Sequence, residues 1–220
     1  MIKKILTAAA IGAVAMGAQA ASNLVSNGGF DGTTGDYIYN GAPASVTTYY
    51  GAVPTLAGTV ADWTGSFVSI TSSSGPWGNP SGLAGFDAAT FGGYVAGVQA
   101  DGVLSQSLDL APGTYTLTWS DANRANSGSN QTYSVSWAGF TFDAYSTVAG
   151  AGWNTESLTF TTTGGLGDLS FVGDTSFGQR DATSFIDNVS LATAVPEPAS
   201  VLMLLVGVLG LVGWRRRAQI

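Results

Sequence analysis

The 220-residue sequence contains no cysteine and no histidine. Without cysteine there can be no disulfide and no thiolate metal site. Without histidine there can be neither a Ser-His-Asp triad nor an imidazole zinc site. Positive charge is almost as scarce. Of seven Lys and Arg residues, Lys3 and Lys4 lie at one end and Arg215, Arg216 and Arg217 at the other. Only Arg124 and Arg180 stand between, against thirteen of the fourteen carboxylates, so the interior of the chain carries a net charge of −11. Nothing there could neutralise phosphates, which excludes nucleic acid as a partner. Thirteen carboxylates with two possible salt-bridge partners invite a cation; left solvated, they keep a protein soluble. Long apolar stretches with helical spacing are also missing between the two ends.

What the ends do contain is organised. Lys3 and Lys4 precede an uncharged apolar run, Ile5 to Met16, and then Ala18-Gln19-Ala20. That three-part order reads as a signal peptide over residues 1–20, cut after Ala20. At the other end, Val195-Pro196-Glu197-Pro198 runs directly into uncharged Ala199 to Trp214, followed by Arg215-Arg216-Arg217. As a helix, residues 199–214 would extend ~24 Å at ~1.5 Å per residue. This is a little short of the ~30 Å hydrocarbon core, a gap that snorkelling arginines and slight thinning of the bilayer can close. The basic end then stays cytoplasmic and the domain faces away from it.

Pro196, Glu197, Pro198 and the Arg215–Arg217 cluster, together with the short span and the signal peptide, resemble the PEP-CTERM sorting signal. The resemblance implies an exosortase-type membrane protease as partner, which removes or exchanges the tail. Prolines on both sides of Glu197 keep that stretch extended, open to a processing enzyme. The expected organisation is a signal peptide (1–20), an exported domain (21–194) and a sorting tail (195–220) with a transmembrane helix at 199–214. The protein is expected first in the inner membrane, then at the cell surface or in the extracellular matrix.

Period-two alternation dominates the middle. Tyr115, Leu117 and Trp119 share one strand face, and Thr114, Thr116 and Thr118 the other. Across Thr132–Phe142 the alternating apolar set is Tyr133, Val135 and Trp137. Leu158 and Phe160, Leu169 and Phe171, then Val189 and Leu191 repeat the pattern, with turn dipeptides Pro112-Gly113 and Gly164-Gly165 between runs. Short half-buried strands at this spacing predict an all-β, antiparallel β-sandwich.

The opening Asn23-Leu24-Val25-Ser26-Asn27-Gly28-Gly29-Phe30-Asp31, then Asp62-Trp63-Thr64, Leu104–Leu110, Pro112–Leu117 and the closing Ile186-Asp187-Asn188-Val189-Ser190-Leu191 resemble the galactose-binding-like jelly rolls. These include carbohydrate-binding modules and DUF642-type domains. The resemblance implies one structural Ca2+ held with the help of Asp31 and Asp187. By strand parity with Val189 and Leu191, Asp187 is expected on the core side. There it neutralises or finds partners in Arg124, Arg180 or backbone N–H groups.

Sugar-binding sandwiches present aromatic rings to the C–H faces of pyranoses. Trp77, in the broken segment Ser74–Pro80, Trp153, after Gly150-Ala151-Gly152, and Tyr94 are the ligand-binding candidates, with Tyr49 and Tyr50 behind them. Each loop tryptophan could instead fold back over a sandwich edge. Trp63, Trp119 and Trp137 have strand-like neighbours and read as core. Asp121 to Asn130 reads as a solvated hairpin loop or a source of polar contacts at the mouth. No acidic pair stands out in the sequence, and Glu156 is the domain's single Glu. The expectation is thus a non-catalytic module for exopolysaccharide. Its alternatives are a structural or adhesive matrix protein binding other proteins and, third, a carboxylate-based glycosidase.

Overall fold

A computed structural model describes residues 22–34, 37–40, 59–71, 80–125, 129–174 and 182–194. They fall within one compact unit, Ser22–Ala194. The signal-peptide segment, the sorting tail with its predicted transmembrane helix, Trp77, Tyr49, Tyr50, Arg180 and the strand expected near Val46–Tyr50 lie outside the described residues. Among the described residues no helix is long and apolar enough to cross a membrane.

The chain is an antiparallel β-sandwich of the jelly-roll class. Its strands are β1 (Thr33–Thr34), β2 (Tyr37–Asn40), β3 (Thr59–Val60), β4 (Thr64–Thr71), β5 (Tyr94–Gln99), β6 (Val103–Leu110), β7 (Gly113–Asn123), β8 (Gln131–Trp137), β9 (Phe140–Thr147), β10 (Asn154–Thr162), β11 (Gly165–Asp174) and β12 (Thr183–Thr193). Among the described residues, helical structure is confined to a 3-10 turn at Pro80–Gly82 and a four-residue helix, α1 (Ala88–Phe91). One layer runs β10-β7-β12-β5-β4 and the other β4-β6-β11-β8-β9. Strand β4 belongs to both: Thr64–Ser66 pair with β6, and Val68–Thr71 with β5.

The apolar alternation settles which faces meet. Tyr115, Leu117 and Trp119 of β7 are buried against Tyr133, Val135, Leu169 and Phe171 of the opposite layer. The Trp119 ring meets Tyr145 edge-on at 4.8 Å and Phe171 at 5.6 Å. Trp63, Trp119 and Trp137 are all buried, as their strand-like neighbours predicted. A hydrogen-bond chain crosses the core: Trp119 Nε1 donates to the Tyr133 hydroxyl at 2.7 Å, which donates to Asp121 Oδ2 at 2.7 Å. Tyr133→Phe leaves the indole N–H and the carboxyl oxygen without partners, at about 1–3 kcal/mol for each orphaned group. A melting temperature within a degree of the unsubstituted chain would contradict that.

Two sequence expectations change. The run Thr132–Phe142 is not one strand but a β8–β9 hairpin, turned at Ala138 (φ 48°) and Gly139 (φ 81°). Residues Asp121–Asn123 are not loop but the end of β7, and Asp121, Asn123 and Arg124 are buried. There Asn123 Nδ2 donates to the Thr147 carbonyl at 3.0 Å, and the Thr147 and Ser184 hydroxyls meet at 2.7 Å. This polar knot ties the two layers together at the end opposite the β8–β9 turn.

Candidate functional site

The first residues of the domain form a strap along β12. Leu24 N–H donates to Leu191 O at 2.7 Å, and Val189 N–H to Gly28 O at 2.9 Å. Asn23 Oδ1 accepts from Leu191 N at 2.9 Å and from Val25 N at 3.0 Å. On its other side β12 pairs with β7, and the register shifts between Asp187 and Ser190, with Asn188 at φ 51°. That bulge breaks the parity on which the sequence argument relied. Asp187 pairs with Ser120, on the face opposite Trp119 and Leu117, whereas Leu191 pairs with Leu117. Asp187 is buried, but beneath the outer covering of this layer rather than between the layers.

Asp31 ends the strap, and its carboxylate lies against Gly92-Gly93 at the end of α1, accepting from Gly93 N–H at 3.1 Å. A Cβ on Gly92 (φ 59°) would stand 2.6 Å from Asp31 Oδ1, so a larger residue would push the carboxylate away. The two acids face each other across Gly29: an added Cβ there would be 3.7 Å from Asp31 Oδ2 and 3.9 Å from Asp187 Oδ1. Asp187 Oδ1 accepts from Asn188 N–H at 2.6 Å. Its Oδ2 is buried without a partner. Burial pushes the Asp187 carboxyl up to about 9, against the lowering effect of the Asn188 N–H and with a further rise from the Asp31 charge. An orphaned buried oxygen beside a second carboxylate fits a hard cation, which relieves both the desolvation and the repulsion. Among the described residues no group of three or more acidic side chains could hold a metal. Calcium's remaining ligands would have to be carbonyls and water.

Of the described aromatic candidates, Trp153 packs on the segment between the 3-10 turn and β5, whereas Tyr94 shares the strand parity of Ala96 and Val98 and faces the core between the layers. Trp153 is half-buried, packs at a tilt against Phe91 with ring centroids 4.5 Å apart, and donates from Nε1 to Pro80 O at 3.3 Å. Its N–H donates to Ala84 O at 2.8 Å. Trp153 thus holds the covering segment down at Pro80, Ala84 and Phe91. Tyr94 opens β5 directly after Gly93, half-buried against the core.

Two features escaped the sequence reading. A groove of about 300 Å³ is lined by Ser26, Asp62, Thr64, Gln106 and Ser107. Gln106 ties its walls, donating from Nε2 to Ser26 O at 2.8 Å and to Asp62 O at 3.2 Å. An acidic pair also exists. Asp121 pairs with Asn154, and Glu156 with Trp119, so both carboxyls face the same side of neighbouring strands. Burial raises the Asp121 carboxyl above its ordinary value, and burial together with the Asp121 charge raises Glu156. Only the β7–β10 register, invisible in the sequence, brings them together. Asp121 is committed inward to Tyr133 and to Asn154 Nδ2 at 3.4 Å.

The described domain is an antiparallel jelly-roll sandwich, and a Pro-Glu-Pro tail follows it in the sequence. Residues 194–217 match the PEP-CTERM protein-sorting motif. No curated protein sequence matches the chain. Among solved structures it is similar to carbohydrate-binding modules. One is a family 61 module in complex with β-1,4-galactotriose, at 18% identity and TM-score 0.41, covering 79% of this chain and 99% of that one. Another is the CBM22-1 xylan-binding domain of Paenibacillus barcinonensis Xyn10C, at 12% identity and TM-score 0.44, covering 63% and 89%. A third is a CBM36 module in complex with calcium and xylotriose, at 14% identity and TM-score 0.37, covering 44% and 79%.

Proposed function

We propose that this is an exported, non-catalytic carbohydrate-binding protein, held briefly in the inner membrane and passed by an exosortase-type protease to the cell surface or matrix. There its domain binds exopolysaccharide. The observation that carries the reading is the sorting motif at residues 194–217 joined to a sandwich with an aromatic-bearing covering segment. The site we assign is built on that segment. Trp153 is bonded to Pro80, Trp77 lies three residues before Pro80 in the chain, and Tyr94 follows the segment directly. One calcium between Asp31 and Asp187 would brace the same segment, because Asp31 grips it at Gly93. The ion would supply charge compensation and rigidity, and it would take no part in chemistry. Asp121 supports the non-catalytic reading, since a carboxyl bonded inward to Tyr133 is poorly placed to protonate a glycosidic oxygen.

Affinity electrophoresis of the domain against a panel of soluble polysaccharides tests this. Retardation by one polymer is expected, with loss of most of it in Trp77→Ala and Trp153→Ala. Retention of full binding in both variants would move the site to the Ser26–Ser107 groove. No retardation by any polymer, from a folded domain, would favour a matrix component that binds other proteins.

A further inference from the structure

We infer that the end of the sandwich from which the tail departs is a lipid-docking surface, engaged while the precursor is anchored and released when the tail is removed. The inference rests on the reading of residues 199–214 as a membrane segment. Three strand turns meet at this end: Leu110–Gly113, Trp137–Phe140 and Thr162–Gly165. Around it the surface is unusually apolar. Leu166 is 79% exposed and Phe140 67%, two of the four large hydrophobic side chains that stand out among the described residues. Leu166, Phe140, Phe142 and Trp137 line one groove with Thr161 and Thr163 at its rim. Phe142 packs at a tilt on Phe160 at 4.7 Å and Phe140 leans edge-on against Phe142 at 5.4 Å, so the exposed ring is braced from behind.

The chain also leaves here. Ala194 N–H is bonded to Thr114 O at 2.9 Å, and Gly113 pairs with Thr162 on the next strand. At ~4.8 Å between neighbouring strands, the exit lies about 10 Å from the rim of the groove. Only residues 195–198 separate Ala194 from the apolar run that begins at Ala199. Five virtual bonds span at most ~17 Å, and the headgroup layer takes up ~6 Å of that. An anchored domain therefore cannot lift this end far from the bilayer. Tethering keeps the effective concentration high, so a patch too small to hold a free protein on a membrane suffices. Charge does not help: Asp109 pairs with Leu166 and Asp168 follows two residues later, so anionic lipid is repelled. The contact is apolar and strengthens as salt screens the acids. Once the tail is removed, the tether's contribution is lost and the face is uncovered.

The absence of native cysteine allows single-site labelling. Leu166→Cys and Val148→Cys, the latter at the far end of β9, would carry an environment-sensitive fluorophore in the full chain, reconstituted in phosphatidylethanolamine–phosphatidylglycerol vesicles. With the protein floating with the vesicles, nitroxide lipids should quench the Leu166 probe several-fold more than the Val148 probe. Adding Phe140→Asp should remove that difference without changing flotation. Equal quenching at the two positions in a floating chain overturns the docking and leaves the membrane tail intact. A Leu166 probe shielded from water yet unquenched by nitroxide lipid means the face is covered by a second copy, and also overturns it. A chain that does not float overturns the membrane reading and the docking with it.

Discussion

Raising the pH from 5 to 8 in the presence of a chelator is expected to destabilise the domain by about 4 kcal/mol through Asp187 alone. Its carboxyl is pushed up to about 9 in the folded state, chiefly by burial, whereas an unfolded Asp titrates near ~4. Between those values the folded chain holds one proton more than the unfolded chain. Stability is therefore greatest below the unfolded value and is lost as pH rises towards the folded one, at ~1.4 kcal/mol per unit. Asp121 and Glu156, also raised by burial, slope the same way. Calcium acts in the opposite sense, because ligation needs the deprotonated carboxylate. At about one hundred times Kd it adds about 2.7 kcal/mol, and its effect should be larger at pH 8 than at pH 5.

Asp187→Asn isolates these contributions. The amide keeps the shape and removes the titration, so the variant should show a shallower pH dependence and no response to calcium. Chelated at pH 8 it should be more stable than the native chain. The measurement is the melting temperature of native and variant chains at pH 5 and 8, with calcium and with chelator. If the pH slopes coincide, Asp187 does not titrate as its burial implies. If calcium shifts both chains equally, the ion binds somewhere other than the Asp31–Asp187 pair.

The fold was readable where alternation is strict. Tyr115, Leu117 and Trp119 of β7 and Tyr133, Val135 and Trp137 of β8 face the core because the extra residues at the nearby register shifts fall on the partner strands β12 and β9. Reading failed where one residue changes the count. The Ala138-Gly139 turn preserves the look of an alternating run while reversing the chain, and the bulge after Asp187 moves that residue to the opposite face. The site was readable only as two short acidic motifs. Their meeting depends on the strap reaching β12, where Gly28 and Val189 are 161 positions apart, and on Gly92-Gly93 receiving Asp31, 62 positions away. The Asp121–Glu156 pair was hidden for the same reason: strand register, which periodicity does not specify. Trp153 read as either a binding ring or a cover, and its packing on Phe91 uses part of the ring for the second role.

Gly28→Ala should damage stability and the cation site together. A Cβ at this position would lie 2.0 Å from Val189 O and 3.0 Å from the Val189 carbonyl carbon. The obstacle is backbone, held in β12 by its neighbours, and no flexible side chain can give way. Either the strap lifts or the β12 bulge deforms, and both break the bond from Val189 N–H to Gly28 O. Overpacking of this kind costs ~1–3 kcal/mol and sometimes more, to which the lost bond adds about 1 kcal/mol. For a domain of this size that lowers the melting temperature by about 2–4 °C per kcal/mol. Because Gly29 and Asp31 follow on the same strap, the displacement also carries Asp31 away from Asp187, so calcium stabilisation should disappear. Gly82→Ala is the control: its Cβ would meet nothing within 4 Å, and the change should stay within about 0.5 kcal/mol. Native-like melting and calcium response in Gly28→Ala would mean that the strap does not lie on β12 as described, and the assignment of Asp31 to the site would go with it.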